Sequence, residues 1–175
     1  MNPLTLPGDA LCALVGPPGS GKSTFARTHF KPTEIVSSDF CRALVADDEN
    51  DQSATGDAFE VLHLIVDKRM ARGRLTVIDA TNLRSPDRPW LLTRARHWQR
   101  PTTAVLFDVP LATVQAQNTS RTRVVPEHVV REFYDLLPTV DQLHEEGWDT
   151  VHLSSTITTP APARGLRTAP KGGTR

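Results

Sequence analysis

The sequence lacks most of the features that mark secreted, metal-stabilised or membrane proteins. It has two cysteines among 175 residues, and the spacing of Cys12 and Cys41 fits neither a zinc site nor a disulfide scaffold. No apolar run approaches the ~18 residues of a membrane-spanning helix, and the N-terminus has no basic region followed by an apolar core. We therefore expect a cytoplasmic protein with reduced thiols and no membrane partner.

The chain also lacks an excess of charge of either sign. Lys and Arg together number 20, and Asp and Glu together number 20. This balance gives no reason to expect a nucleic-acid or membrane partner from charge alone, so any basic binding site has to be local.

Acidic residues are absent from Ser154 onward, where the composition changes to Ser, Thr, Pro, Ala and Gly with a few basic residues. Such a segment has too few apolar side chains to form a core. We expect one folded domain at residues 1–153 and a disordered basic tail at residues 154–175. A weak electrostatic contact of the tail with nucleic acid is the alternative to a solvated terminus.

The most informative stretch is GPPGSGKST, which fits the phosphate-loop pattern G-x-x-x-x-G-K-[ST]. The continuously apolar residues 10–15 before it predict a strand buried on both faces, and residues 23–27 after it can begin a helix. The alternative is a glycine-rich turn between a strand and a helix. The candidate nucleotide-binding residues are Gly16, Pro17, Pro18, Gly19, Ser20, Gly21, Lys22, Ser23 and Thr24.

The chemistry of this loop predicts ATP and Mg²⁺ as its ligands. Glycines allow backbone N–H groups to turn inward around a phosphate chain, and the helix N-terminus adds its partial positive charge. The side chain of Lys22 would contact the β- and γ-phosphates, and the Ser23 hydroxyl would bind Mg²⁺.

Strands and helices alternate along the whole chain. Each connection between strands is long enough for parallel pairing, so the pattern predicts an α/β fold with a parallel sheet of about five strands between helix layers. The predicted strands are residues 10–15, 34–38, 75–79, 103–109 and 150–153, and the predicted helices are residues 23–30, 57–72, 85–98, 111–119 and 126–137.

Asp39 follows the second predicted strand, where a carboxylate can face the phosphate loop across the top of the sheet. There it could accept the proton of an attacking hydroxyl. Arg42, three residues later, could hold an anionic part of the acceptor. The alternatives are that Asp39 caps the following helix and that Arg42 is a surface arginine.

Asp79 ends the third predicted strand and is followed by Thr81 and Asn82. A carboxylate at this position can order Mg²⁺ through water, as in many phosphate-loop proteins. Thr81 and Asn82 could orient the acceptor by hydrogen bonds. The alternative is a strand-ending turn capped by Asp79 and Asn82.

Arg121 and Arg123 lie in a polar segment between two predicted helices. Arginines on such a lid can close over ATP and stabilise charge on the transferring phosphoryl group. Solvated loop arginines are the alternative.

Several of these motifs together resemble the kinase domain of bacterial and phage polynucleotide 5′-kinases. The likeness extends over residues 10–153. It rests on the segments GPPGSGKSTFA, SSDFCR, IDATNLRSPDR and VLFDVPL, and on the N-x-x-R-x-R-x-V-P-E pattern that begins at Asn118.

This resemblance implies an adenylate-kinase-like phosphate-loop fold with an arginine-bearing helical lid, and transfer of the ATP γ-phosphate to a 5′-hydroxyl of DNA or RNA. It implies that Asp39 is the general base, that Arg42 contacts an acceptor phosphate and that Arg121 grips the ATP phosphates. One departure is Gln117, where members often have an arginine, so Arg123 either substitutes for it or the lid is weaker.

Three functions remain open from the sequence. The favoured one is a polynucleotide 5′-hydroxyl kinase with a nucleic-acid 5′ end as its partner. A kinase of small-molecule hydroxyls is the main alternative, because the same motifs occur in a broad group of predicted small-molecule kinases. A non-catalytic nucleotide-binding module is less favoured, since it needs no base opposite the γ-phosphate.

Overall fold

Five parallel strands form the centre of the structure, a computed structural model that describes residues 3–84, 87–120 and 124–158. Their order in the sheet is β2-β3-β1-β4-β5, and every neighbouring pair is parallel. The predicted α/β fold with a parallel sheet of about five strands is therefore confirmed. The strands are β1 (Leu11–Val15), β2 (Ile35–Ser37), β3 (Thr76–Asp79), β4 (Thr102–Leu106) and β5 (Thr150–Leu153).

Helices connect the strands and cover both faces of the sheet. None of the described helices is long and apolar enough to cross a membrane. Short 3-10 helices occur at Pro32–Glu34, Gln52–Ala54 and Ser154–Thr156. The α-helices are α1 (Lys22–His29), α2 (Ser38–Ala46), α3 (Thr55–Ala71), α4 (Asp87–His97), α5 (Leu111–Thr119), α6 (Glu127–Asp135) and α7 (Val140–Glu146).

Strand β1 contributes to a hydrophobic core on each side of the sheet, because successive side chains of a strand point to opposite faces. Leu11, Ala13 and Val15 belong to one core, which includes residues of α2, α3, α4 and α7. Cys12 and Leu14 belong to the other, which includes residues of α1. All five side chains are fully buried, as expected for a central parallel strand.

Helix α7 was not among the sequence predictions, although its two ends carry recognisable signals. Thr139 accepts a hydrogen bond from the Gln142 backbone, and the Gln142 side chain accepts one from the Thr139 backbone, which forms a capping box. Gly147 ends the helix with a left-handed φ of 103°. The helix has only seven residues, with Leu143 as its one fully buried side chain, so its apolar periodicity is weak.

Residues beyond the predicted domain boundary at residue 153 still contact the folded domain. Ser155 donates hydrogen bonds to Asp108 from its backbone N–H and its hydroxyl, and the Ser154 hydroxyl donates a third. Burial alone would raise the pKa of Asp108, but the bonds from the two serines outweigh it and lower that pKa. Ile157 packs against the core that contains Leu14. The packed structure therefore extends to residue 158, and residues 159–175 lie outside the described part of the chain.

We expect a chain that ends at Leu153 to unfold about 2–8 °C below the full-length protein. It would lose the apolar contact of Ile157 and the bonds to Asp108, together worth about 1–2 kcal/mol, and each kcal/mol corresponds to ~2–4 °C for a domain of this size. A chain that ends at Thr158 is the matched control, and its melting temperature should stay within about 2 °C of the parent. Equal melting temperatures for the two truncated chains, measured by calorimetry, would show that residues 154–158 add no stability.

Candidate active site

The phosphate loop joins the central strand β1 to helix α1. Its first glycine, Gly16, donates a backbone hydrogen bond to the carbonyl of Thr81 at 3.0 Å, which fixes the loop to the end of β3. Gly19 and Gly21 have left-handed φ angles of 85° and 92°, a conformation that other residue types rarely adopt. Gly19 and Gly21 are therefore required by the backbone path, and Gly21 is the N-cap of α1.

Lys22 is held inside the loop. Its Nζ donates hydrogen bonds to the Pro17 carbonyl at 2.8 Å and to Ser20 Oγ at 3.5 Å, and the residue is only 8% exposed. The ammonium group is thus positioned at the concave side of the backbone turn, where it can stabilise phosphate oxygens.

Ser23 and Asp79 are the two residues that the sequence predicts as oxygen ligands of Mg²⁺, and they lie close together. Asp79 lies at the end of β3, is 8% exposed and is hydrogen-bonded by the Ser23 side chain. Burial raises the pKa of this carboxyl group, while the Ser23 hydrogen bond and the positive charge of Lys22 act in the opposite direction.

A hydroxyl and a carboxylate at the phosphate loop fit the oxygen donors that Mg²⁺ prefers. Within the described ranges, no group of three or more His, Cys, Asp or Glu side chains could hold a metal ion. Mg²⁺ at this site would therefore take its other ligands from phosphate and water, as Mg²⁺ commonly does.

Asp39 lies in the first turn of α2, directly beyond strand β2. The N-cap of this helix is Ser37, whose side chain accepts a hydrogen bond from the Phe40 backbone at 3.3 Å. The alternative reading of Asp39 as the helix cap is therefore wrong. The Asp39 side chain is 53% exposed and can be reached by an acceptor.

Arg42 forms an ion pair with Asp39 at 2.7 Å between Nη1 and Oδ1. The same nitrogen donates to the Glu49 carbonyl at 2.9 Å, and only 6% of the side chain is exposed. Arg42 is therefore not a surface arginine, and in this arrangement its side chain is not open to contact with an acceptor. Its Nη1 is bonded to Asp39 and Glu49, and its buried Nε has no hydrogen-bond partner among the described residues.

Asn82 was predicted to orient the acceptor, and the structure shows a different role. Its side-chain nitrogen donates to the Leu14 carbonyl at 2.7 Å, and the residue is 2% exposed with a left-handed φ of 51°. A side chain that bonds buried backbone between β1 and β3 is not available to a substrate. Thr81 lies beside it, half-buried, with its carbonyl bound to Gly16.

Asn118 connects the phosphate loop to the segment that contains the predicted lid. A Cβ atom added at Gly19 would lie 3.2 Å from Asn118 Cβ and 3.1 Å from the Val114 carbonyl, so the loop packs tightly on α5. The Asn118 amide both donates to the Val125 carbonyl and accepts from the Val125 backbone N–H, at 2.7 and 3.1 Å. Arg121 and Arg123 lie outside the described residues.

The order of the strands brings the predicted site residues together at one edge of the sheet. Lys22 and Ser23 follow β1, Asp79 ends β3, and Asp39 follows β2, all at the carboxyl edge of the sheet. Because β3 lies between β1 and β2, the ends of those strands are two strand spacings apart, about 10 Å. Asp39 and Asp79 are close enough for their charges to interact. This edge is where parallel α/β sheets bind ligands.

We expect Asp79→Asn to leave the thermal stability of the ligand-free protein unchanged or higher. A carboxyl group with a raised folded-state pKa contributes stability below its ordinary pKa and loses it as the pH rises through the folded value, so at neutral pH the buried charge opposes folding. The same variant should need more Mg²⁺ for half-maximal turnover. A lower melting temperature with an unchanged Mg²⁺ requirement would contradict both assignments.

We expect Gly19→Ala to reduce ATP affinity, because it combines an unfavourable φ with contacts of 3.1 and 3.2 Å to α5. The measurement is the rise in melting temperature with increasing ATP. Gly56→Ala is the matched control, since Gly56 lies in helix α3 with nothing within 4 Å of an added Cβ, and it should retain full ATP binding. Unchanged affinity in Gly19→Ala would show that the loop tolerates a side chain there.

Solved structures share this fold. A chain of the Pnkp1/Rnl/Hen1 RNA repair complex matches with a TM-score of 0.61 and 21% identity, over 83% of this chain and 48% of that one. A second structure of a Pnkp1/Rnl/Hen1 complex matches with a TM-score of 0.55 and 24% identity, over 70% of this chain. The chain spans 42% of that matched chain's length.

A gluconokinase from Sinorhizobium meliloti matches with a TM-score of 0.52 and 14% identity, over 85% of this chain and 83% of that one. No curated protein matches the sequence. The family model of an AAA domain, AAA_33, matches residues 11–138, which include the whole sheet except β5. The chain therefore belongs to this AAA domain family, and its fold is that of the phosphate-loop kinases.

Proposed function

We propose that the protein transfers the γ-phosphate of ATP to the 5′-hydroxyl of a polynucleotide. The observation that carries this proposal is the position of Asp39. Its carboxylate is solvent-accessible, oriented by Arg42 and separated from the phosphate-loop strand by one strand, β3. That space of about 10 Å suits a terminal phosphate with an acceptor hydroxyl beside it.

Each residue of the site has a defined task in this reaction. Lys22 and the N-terminus of α1 stabilise negative charge on the β- and γ-oxygens as the bond to the γ-phosphorus breaks. Asp39 accepts the proton of the attacking hydroxyl, and Arg42 holds the Asp39 carboxylate in place. Ser23 and Asp79 would hold Mg²⁺, which neutralises phosphate charge when bound. Arg121 and Arg123 are proposed to stabilise the transferring group.

A polynucleotide acceptor is supported by the chemistry of Arg42. Its buried Nε is a donor without a partner among the described residues, so a movement that exposed the guanidinium would let it bond an anionic group beside the acceptor hydroxyl. The 3′ phosphate of a terminal nucleotide is such a group. The likeness of the fold to chains of an RNA repair complex agrees with this acceptor class.

A small-molecule hydroxyl is the second candidate, and the burial of Arg42 favours it. A guanidinium that is 6% exposed and already paired with Asp39 must move to contact a phosphate. The whole chain also has no net charge with which to attract a polyanion. A neutral acceptor would need only Asp39 and neutral hydrogen-bonding groups.

The deciding experiment follows labelled γ-phosphate from ATP into a panel of acceptors. We expect label in 5′-hydroxyl oligonucleotides and in a nucleoside 3′-monophosphate, and at least tenfold lower kcat/KM with a plain nucleoside, because charge-assisted contacts are worth ~1.5–3 kcal/mol. Label in sugars or other small hydroxyl compounds but not in oligonucleotides would establish the second candidate.

Asp39→Asn separates binding from chemistry in the same assay. The amide keeps the size of the side chain but cannot take the proton, so ATP binding should persist while transfer falls at least a hundredfold. Asp57→Asn makes the same chemical change at an exposed position of α3 and should leave transfer unchanged. Full transfer by Asp39→Asn would remove Asp39 from the reaction.

A further inference from the structure

Helix α2 has an exposed apolar face beside the proposed base. Phe40 follows Asp39 directly and is 62% exposed, and Leu44, four residues later on the same face, is 59% exposed. The buried side of the helix contains Cys41, which is 1% exposed and belongs to the core. Core packing therefore does not explain Phe40 or Leu44.

The charges around this face restrict what it can bind. The chain continues from α2 into Asp47, Asp48 and Glu49, which are all exposed. Asp39 lies at the other end of the helix, and Arg42 is already paired with it. Phosphate groups are disfavoured next to Asp47, Asp48 and Glu49, whereas an uncharged aromatic ring is not. The apolar side chains of Phe40 and Leu44 thus suit a nucleobase better than a phosphate group.

We propose that Phe40 and Leu44 form a stacking surface for the terminal nucleobase of the acceptor. Phe40 contacts the face of the base, and Leu44 lies about 6 Å further along the helix, a distance that one purine can cover. Stacking there holds the terminal nucleoside beside Asp39. Every base has an aromatic face, so the surface selects a nucleotide end without selecting its sequence.

This inference rests on the proposed function and predicts which part of the acceptor Phe40 recognises. The test compares two oligonucleotides with a free 5′-hydroxyl, one with an intact terminal nucleotide and one whose terminal residue has no base. With the intact end, Phe40→Ala should lower kcat/KM about five- to a hundredfold. With the abasic end, the parent should already be slower by a similar factor, and Phe40→Ala should change it less than about twofold.

Two control variants sharpen this comparison. Phe40→Trp keeps an aromatic face and should retain activity on the intact end. Leu136→Ala removes another exposed apolar side chain, 46% exposed at the end of α6, and should behave as the parent on both acceptors.

The outcomes separate this inference from the proposed function. If the parent labels no oligonucleotide, the proposed function fails, and the base surface fails with it. If the parent labels oligonucleotides but Phe40→Ala is unaffected, or loses equal activity on both acceptors, the base surface alone is wrong. A dimer that becomes monomeric in Phe40→Ala with unchanged kinetics would identify the face as an interface between copies and would also overturn the inference.

Discussion

Two hydrogen bonds between the ends of β1 and β3 determine the geometry of the whole site. The Gly16 N–H binds the Thr81 carbonyl, and the Asn82 amide binds the Leu14 carbonyl. These bonds hold the start of the phosphate loop against the strand that ends in Asp79. Leaving a buried backbone group without its partner costs about 1–3 kcal/mol, so the arrangement is strongly specified.

Local sequence predicts those parts of the site in which backbone conformation or burial restricts the residue type. Gly19 and Gly21 are needed for left-handed φ angles, and the apolar residues of β1 are needed in a strand covered on both faces. The placement of Asp79 near the phosphate loop is also expected from the sequence, because parallel strands end at the same edge of a sheet. These patterns are nearly sufficient to predict the α/β fold.

The parts that could not be predicted depend on the direction of individual side chains. Asn82 was interpreted as an acceptor ligand because it follows a strand, but its amide turns inward to the backbone of β1. Arg42 lies three residues after Asp39, a spacing that favours a side-chain pair on a helix. The sequence therefore contained enough information to predict their ion pair. Asn118 and Val125 are seven residues apart within the N-x-x-R-x-R-x-V-P-E pattern, but that pattern does not indicate that their side chain and backbone bond each other.

The strand order has an evolutionary consequence. The nucleotide-binding loop follows β1, which has neighbours on both sides, whereas the proposed base follows β2, a three-residue strand at the edge of the sheet. An edge strand loses fewer hydrogen bonds when it shifts, so the acceptor side can change while the ATP side stays fixed. A single scaffold can in this way diversify its acceptors, and structures with this fold include both a gluconokinase and a component of an RNA repair complex.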